Sequence, residues 1–156
     1  MPSIKEKEVE DKAIKEKAIA LLARREHSRR ELQQKLTQRG YAFAAIDDLL
    51  NELEKSGLLN EDRFIGSIIR TYRSRGMGPL KICVELQKRG IDRSRIVAHE
   101  EWHGSSWDET AIAVRIKRFG ELLPSSMIQK MQQIRFLQQR GFTQDQIHVA
   151  LKCEIE

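Results

Sequence analysis

The sequence Arg-Gly followed by a large apolar residue occurs three times along this chain at nearly even spacing. The three copies are Arg39-Gly40-Tyr41, Arg89-Gly90-Ile91 and Arg140-Gly141-Phe142. Their glycines lie 50 and then 51 residues apart. Self-similarity at such a period is typical of repeat architectures, in which each unit buries its apolar face against its neighbours. The spacing therefore predicts an elongated stack of repeats with an extended surface available for binding, rather than a globular domain built around one catalytic pocket.

The similarity extends to the residues on both sides of each glycine. A leucine stands four residues before it and an isoleucine six residues after it, as Leu36 and Ile46, Leu86 and Ile96, and Leu137 and Ile147. Glycine tolerates the left-handed conformation that closes a helix, and the apolar residue after it can pack back onto the last turn. Each copy therefore predicts a helix, a glycine stop and a second helix.

The composition favours an all-α fold. Nine glycines and three prolines among 156 residues are few, and no turn-rich runs are spaced as in an all-β chain. Apolar residues at helical spacing predict nine helices and no strands, arranged as three tandem three-helix repeats. The expected organisation is a polar lead-in at 1–10 and repeats at 11–57, 58–104 and 105–153. The first helix is expected to begin near Asp11, and the sixth to run from a cap at Asp92 to about His103.

The sequence gives no indication of export or membrane insertion. Its two cysteines, Cys83 and Cys153, do not make a disulfide framework and suit a reducing compartment. No apolar run is long enough to cross a membrane, and Met1–Lys17 lacks the apolar segment of a secretory signal. We expect a cytoplasmic protein with no membrane partner.

Positive charge is concentrated in the middle of the chain. The whole chain carries a net charge of +5, but residues 63–98 alone contain nine basic and two acidic side chains, a local excess of +7. A concentrated positive field attracts a polyanion or an acidic protein surface. The alternative is a solvated helical face that arginine keeps in solution.

Six basic residues are the candidate partner-binding residues: Arg63, Arg70, Arg73, Arg75, Lys81 and Lys88. The helix expected after an N-cap at Asn60 carries its apolar stripe from Phe64 to Tyr72. At 3.6 residues per turn, Arg63 and Arg70 project about 20° apart and away from that stripe. Arg73 is expected on the same polar side.

One motif resembles a zinc-peptidase site and is set aside. The segment from His99 to His103 matches H-E-x-x-H, in which two histidines on one helix turn share a metal and a glutamate acts as base. The helix expected there is short and stops at Gly104, and no third ligand is recognisable. Phosphate-loop and nucleophile-elbow motifs are also missing. We expect no catalytic residues, no metal and no cofactor, and hence a protein that is not an enzyme.

Nucleic acid is a possible partner by charge alone. Aromatic residues make up only 6% of the chain, which is too few for a platform that stacks single-stranded bases. Non-specific contact with phosphates would depend strongly on salt. A stand-alone, non-specific DNA-binding helical module is therefore retained as the alternative function.

Several segments resemble the RecX family of regulators of the RecA recombinase. The most specific are 57–64 (Gly-Leu-Leu-Asn-Glu-Asp-Arg-Phe), 73–82 (Arg-Ser-Arg-Gly-Met-Gly-Pro-Leu-Lys-Ile) and 85–91 (Glu-Leu-Gln-Lys-Arg-Gly-Ile). The family's first module is matched by Glu26-His27-Ser28, Glu31-Leu32 and Lys35-Leu36, and its third module by 118–120 and 135–142. The family often has aspartate where this chain has Asn60, and both residues cap helices.

The resemblance implies a curved, all-α molecule of three tandem three-helix repeats that binds in the groove of the RecA–DNA filament. It implies contact with more than one recombinase subunit and inhibition of ATPase, strand-exchange and co-protease activities. The roles implied are those of a non-enzymatic regulator of homologous recombination, DNA repair and the SOS response. The family supplies no catalytic residues to carry over. We expect the chain to act as a monomer.

Overall fold

The computed structural model describes residues 3–152, and all regular secondary structure within that range is helical. The α-helices are α1 (Ile4–Arg24), α2 (Arg29–Gln38), α3 (Phe43–Ser56), α4 (Glu61–Ser74), α5 (Pro79–Lys88), α6 (Arg93–Ala98), α7 (Trp107–Phe119), α8 (Met127–Gln139) and α9 (Gln144–Lys152). A short 3-10 helix, Glu100–Trp102, follows α6. Nine α-helices and no strands over the described range confirm the predicted all-α class. Cys153, one of the two cysteines of the sequence, lies outside the described residues.

The Arg-Gly glycines close helices as the sequence predicts. Gly40, Gly90 and Gly141 have φ angles of 87°, 86° and 92°, the left-handed region that only glycine enters without strain. The leucine before each glycine and the isoleucine after it are buried. The local repeat is therefore a structural repeat of helix, glycine stop and helix.

The helix boundaries differ from the expected ones in two places. Helix α1 begins at Ile4 rather than near Asp11, because Ser3 and Glu6 form a reciprocal capping box at its start. Helix α6 ends at Ala98, and the backbone turns at His99 before the 3-10 helix. The single helix expected to reach His103 is thus divided in two.

The described chain forms two compact units. The first takes the chain up to Ile65 together with Arg89–Ile91, and the second takes Gly66–Lys88 and the chain from Asp92 onward. The repeat boundaries expected at 57 and 104 stay predictions.

In the first unit, α1, α2 and α3 pack on one another around a single apolar core. The core side chains recur at helical spacing on each element and are Ile14, Ala18, Leu21, Leu32, Leu36, Ile46, Leu49, Leu50, Leu53 and Leu59. Burying each such side chain contributes about 1.5–3 kcal/mol before the loss of conformational entropy is counted.

In the second unit, α7, α8 and α9 pack together, with the most extensive contact between α7 and α9. Their core consists of Ala111, Leu137, Phe142, Ile147, Ala150 and Leu151. Helix α5 packs on α6 in the same unit, with Ile82, Leu86 and Ile96 buried. Over residues 3–152, none of the helices is both long enough and apolar enough to cross a membrane.

Candidate partner-binding site

The six basic residues predicted from sequence fall on two helices and the turn that joins them. Arg63, Arg70 and Arg73 lie on α4, Arg75 lies in the following turn, and Lys81 and Lys88 lie on α5. Asn60 caps α4 as predicted, since its Oδ1 accepts a hydrogen bond of 3.0 Å from the Arg63 backbone N–H. Arg63 belongs to the first unit and the other five belong to the second.

Arg63 is occupied by contacts within its own unit. Its Nε donates to Glu26 Oε1 at 3.0 Å, and its Nη2 donates to the Gly57 carbonyl at 2.7 Å. Half of its side chain is still exposed, so the pair with Glu26 is a surface ion pair of small net stability. Arg63 can therefore exchange Glu26 for another acidic group at modest cost.

Arg70 is also engaged in an exposed pair. Its Nη1 lies 2.8 Å from Glu101 Oε1, and 59% of the arginine side chain is exposed. Such a pair is worth about 0–1 kcal/mol because water screens both charges. Arg70 therefore lies on the solvent side of α4, as the helical projection predicted.

Arg73 differs from that expectation because it is half-buried. Its guanidinium carbon lies 3.6 Å from the centroid of the Trp107 ring, and the group donates to the carbonyls of Glu101, Trp102 and Ser105. Burial lowers the pKa of this guanidinium from its ordinary value, while the Glu101 carboxylate opposes the change. These contacts join the end of α4 to the start of α7, so Arg73 has a structural task within the second unit.

Arg75, Lys81 and Lys88 are exposed. Lys88 makes only a long ion pair, 3.5 Å from Glu85 Oε1, with 67% of its side chain exposed. Among the described residues, no carboxylate pairs with Arg75 or Lys81. These three cations are the predicted residues most available to an outside partner.

The second unit contains a groove that no sequence argument identified, which we call the cationic groove. It has a volume of about 360 Å³ and is bordered by Arg73–Gly76 at the end of α4, by one face of α7 and by the end of α8. The face of α7 consists of Thr110, Ala113, Val114, Lys117 and Arg118, at the spacing of one helical stripe. The groove is lined by five basic residues and no acidic residue.

Phe136 occupies the floor of the cationic groove and orders its cations. The guanidinium carbons of Arg140 and Arg118 lie 5.1 Å and 5.8 Å from the Phe136 ring centroid. Phe119 contacts the same ring edge-on at 5.3 Å. Arg140 also donates to the Arg75 carbonyl at 3.1 Å, which holds it at the groove edge. Cation–π contacts of this kind restrain the arginines while leaving most of their N–H groups unused.

Sequence reasoning missed Lys117, Arg118 and Arg140 as site residues. The charge count covered residues 63–98, whereas these three cations come from α7 and the end of α8. The available signal was the stripe on α7, in which Lys117 and Arg118 follow Ala113 and Val114 at helical spacing. What it could not reveal is that α4 and α8 end beside the same face.

The H-E-x-x-H segment has a geometry unlike that of a zinc-peptidase helix. His99 lies in the turn after α6, where its Nδ1 accepts from the Glu101 backbone N–H at 3.1 Å. The His103 Nε2 lies 2.6 Å from the Val97 carbonyl. In residues 3–152, no group of three or more His, Cys, Asp or Glu side chains is placed to hold a metal ion. The two histidines therefore serve the local turn.

Fold and surface together define an all-helical protein of three-helix domains with an exposed cationic surface, which is the form of a binding protein. Family models for the first and third three-helix domains of RecX match residues 15–53 and 107–151. The chain belongs to the RecX family, as the resemblance in its motifs implied. This membership places it among regulatory proteins rather than enzymes.

Individual relatives agree over most of the chain. It is 42% identical to the regulatory protein RecX of Halorhodospira halophila over 138 residues, covering 88% of this chain and 86% of that one. It is 40% identical to the regulatory protein RecX of Pseudomonas fluorescens, covering 86% and 87%. The crystal structure of RecX from Lactobacillus salivarius superposes with a TM-score of 0.77 at 20% identity, covering 92% of this chain and 95% of that one. That last similarity concerns the fold alone.

Proposed function

We propose that this chain regulates the RecA recombinase, mainly as an inhibitor, by binding in the groove of the RecA–DNA filament. Binding there blocks the ATPase, strand-exchange and co-protease activities of the filament. The observation that carries the proposal is membership of the RecX family across most of the chain. The protein acts as a monomer and needs no cofactor.

The exposed cations support this assignment electrostatically. A nucleoprotein filament is acidic overall, and a local positive excess raises both the rate and the strength of association with such a target. Of the six predicted contact residues, Arg75, Lys81 and Lys88 meet the filament directly. Arg63 and Arg70 join by exchanging their exposed intramolecular carboxylates, because those pairs hold them only weakly.

The test measures RecA activity with and without this protein. RecA, single-stranded DNA and ATP are mixed with a stoichiometric amount of the chain, and ATP hydrolysis and strand exchange are followed. Both rates are expected to fall, and the protein is expected to co-sediment with the filament. Unchanged hydrolysis and exchange, together with no co-sedimentation, would contradict the proposal.

A charge-matched pair of variants tests the contact residues. Arg75→Ala, Lys81→Ala and Lys88→Ala in one chain should weaken inhibition, with an unchanged helical circular dichroism spectrum because all three side chains are exposed. The control variant removes the same number of positive charges from the exposed part of α1, at Lys5, Lys7 and Lys12. Equal losses in the two variants would show that net charge alone, and no particular surface, drives binding.

A second candidate function is non-specific DNA binding, which the same exposed cations favour. Gel-shift measurements over a range of salt separate the two functions. Tight, salt-sensitive DNA binding with no effect on RecA would favour the DNA-binding module. Inhibition of RecA at salt concentrations that abolish DNA binding would favour the regulator.

A further inference from the structure

We propose that the cationic groove of the second unit is a peptide-binding site, and that its ligand is an acidic segment carrying one apolar side chain. The groove is bordered by the turn after α4, one face of α7 and the end of α8. This inference concerns a binding activity of the chain itself. It does not depend on the recombinase being the target.

The charges at the rim of the groove favour a negatively charged ligand. Its cations Arg75, Lys117, Arg118 and Arg140 make no ion pair with any carboxylate among residues 3–152. Elsewhere in the molecule, arginines such as Arg29 are matched to acids, with Asp47 Oδ1 at 2.8 Å and Glu54 Oε1 at 3.1 Å. Four uncompensated cations around one depression repel one another, and an acidic ligand relieves that repulsion.

The apolar residues in the floor of the groove favour a ligand with an apolar side chain. Ala113, Val114 and Phe136 lie between the cations and present carbon surface to the depression. A volume of about 360 Å³ falls within the range of pockets that bind small ligands and is too small for a folded domain. An apolar side chain on a short segment can fill this space and bring its flanking carboxylates to the rim.

The surroundings of the Phe136 ring favour a peptide ligand over a nucleic-acid strand. Single-strand binding sites stack bases on open aromatic faces. The guanidinium groups of Arg118 and Arg140 lie near the Phe136 ring, and Phe119 contacts it edge-on. A base stacked on that ring would compete with these arginines for its face, whereas a carboxylate binds the same arginines where they lie.

The geometry also favours carboxylate over a single bound ion. Arg140 uses one N–H group on the Arg75 carbonyl and keeps the others, and Arg118 makes no hydrogen bond within the described chain. Planar guanidinium groups match carboxylates in a two-point arrangement. Several such donors spread along a groove fit a run of acidic side chains.

The experiment measures direct binding to the purified full-length chain by fluorescence anisotropy. The probe is a fluorescein-labelled peptide in which one phenylalanine is flanked on both sides by glutamates. Matched peptides replace the phenylalanine with serine or the glutamates with lysines. A labelled oligothymidylate tests whether the groove binds single-stranded nucleic acid instead. We expect saturable binding of the first peptide, weaker binding of the serine peptide, and none of the lysine peptide.

Variants in the groove test the location. Ala113→Glu places a carboxylate in the groove one turn before Lys117, a spacing that suits a helix and should leave the fold intact. We expect it, and Arg118→Ala, to weaken peptide binding by at least about tenfold, as for a lost charge-assisted contact. The control Arg135→Ala removes one exposed positive charge from α8 outside the groove and should leave affinity within about twofold.

Three outcomes would overturn the proposal. The first is no saturable binding of the acidic phenylalanine peptide. The second is binding that Arg135→Ala weakens as much as Ala113→Glu and Arg118→Ala do. The third is binding of oligothymidylate that is tighter than that of the peptide and that Ala113→Glu and Arg118→Ala weaken. None of these outcomes depends on RecA activity, so failure here is distinguishable from failure of the proposed regulatory function.

Discussion

The guanidinium carbon of Arg73 lies 3.6 Å from the centroid of the Trp107 ring, so a positive charge rests against an indole inside the second unit. The same guanidinium donates to three backbone carbonyls in residues 101–105. The contact joins two helices that the sequence separates by a glycine-containing turn, a whole helical pair and a 3-10 helix. Arg73, which the sequence predicts as a partner-binding residue, therefore also has a structural role in this unit.

Replacing Arg73 with alanine should destabilise the second unit. Lost cation–π and carbonyl contacts predict a decrease of about 1–3 kcal/mol in the free energy of unfolding. Both tryptophans of the chain lie in this unit, so the fluorescence of urea titrations reports on it. Arg75→Ala, at an exposed position nearby, should change the same quantity by less than about 0.5 kcal/mol. Equal effects would show that Arg73 is not held as described.

Stability should fall in mild acid because of His27. This side chain is only 1% exposed, and its Nε2 lies 2.9 Å from Lys35 Nζ. An ammonium can only donate, so Nε2 accepts and Nδ1–H donates to the Arg25 carbonyl at 3.0 Å. Burial is the largest effect on the pKa of His27 and lowers it from 6.5, and the positive charges of Arg25 and Lys35 act in the same direction. The hydrogen bond to the Arg25 carbonyl is the largest opposing effect, followed by the negative charge of Glu31.

The sign of the pH effect follows from proton linkage. Well above pH 6.5 His27 is neutral in both the folded and the unfolded chain, and its full contribution is present. As the pH falls below that value the unfolded chain takes up the proton first, so the folded state loses stability. Urea midpoints measured by circular dichroism should therefore decrease between about pH 7 and about pH 5. The decrease should be smaller in His27→Gln, while His148→Gln, at an exposed site, should match the parent.

Two glycines of the repeat should respond differently to the same substitution. At Gly40 an added Cβ would meet nothing within 4 Å, so alanine there meets only the cost of a left-handed backbone, about 1–2 kcal/mol. At Gly141 an added Cβ would collide with Lys81, with its backbone nitrogen 2.7 Å away. Gly141→Ala should therefore cost about 3 kcal/mol or more in unfolding free energy. Similar thermal and urea stabilities for the two variants would refute this packing assignment.

Removing the buried helix cap at Ser28 should lower the free energy of unfolding more than removing an exposed cap. Ser28 is fully buried, and its Oγ accepts from the Glu31 backbone N–H at 3.1 Å. Ser28→Ala should cost about 1.5 kcal/mol, because water cannot reach the orphaned N–H. Ser126 caps α8 in the same way but is exposed, so Ser126→Ala should cost about 0.5 kcal/mol. The comparison is made by urea denaturation, and a reversed order would contradict it.

Local signals in the sequence accounted for most helix ends. Ser28, Asn60, Ser106 and Ser126 cap helices as predicted, because capping depends on a side chain and an N–H two or three residues away. The start of α1 was missed although Ser3 and Glu6 match a capping box. The first residues of α1 are mostly charged, and the apolar Ile4 and Val9 are exposed, so they form no amphipathic pattern that predicts a helix. The capping box stabilises this end of the helix without such a pattern.

By itself, the sequence determined the all-α class, the family and the left-handed glycines at 40, 90 and 141. These depend on apolar spacing and on backbone sterics, which act within a few residues. Only the tertiary structure decided that Arg73 packs on Trp107, that Gly141 has no room for a side chain while Gly40 has, and that Arg75, Lys117, Arg118 and Arg140 surround one groove. Such relationships join residues far apart along the chain, and no local preference fixes which side chains meet when the helices pack.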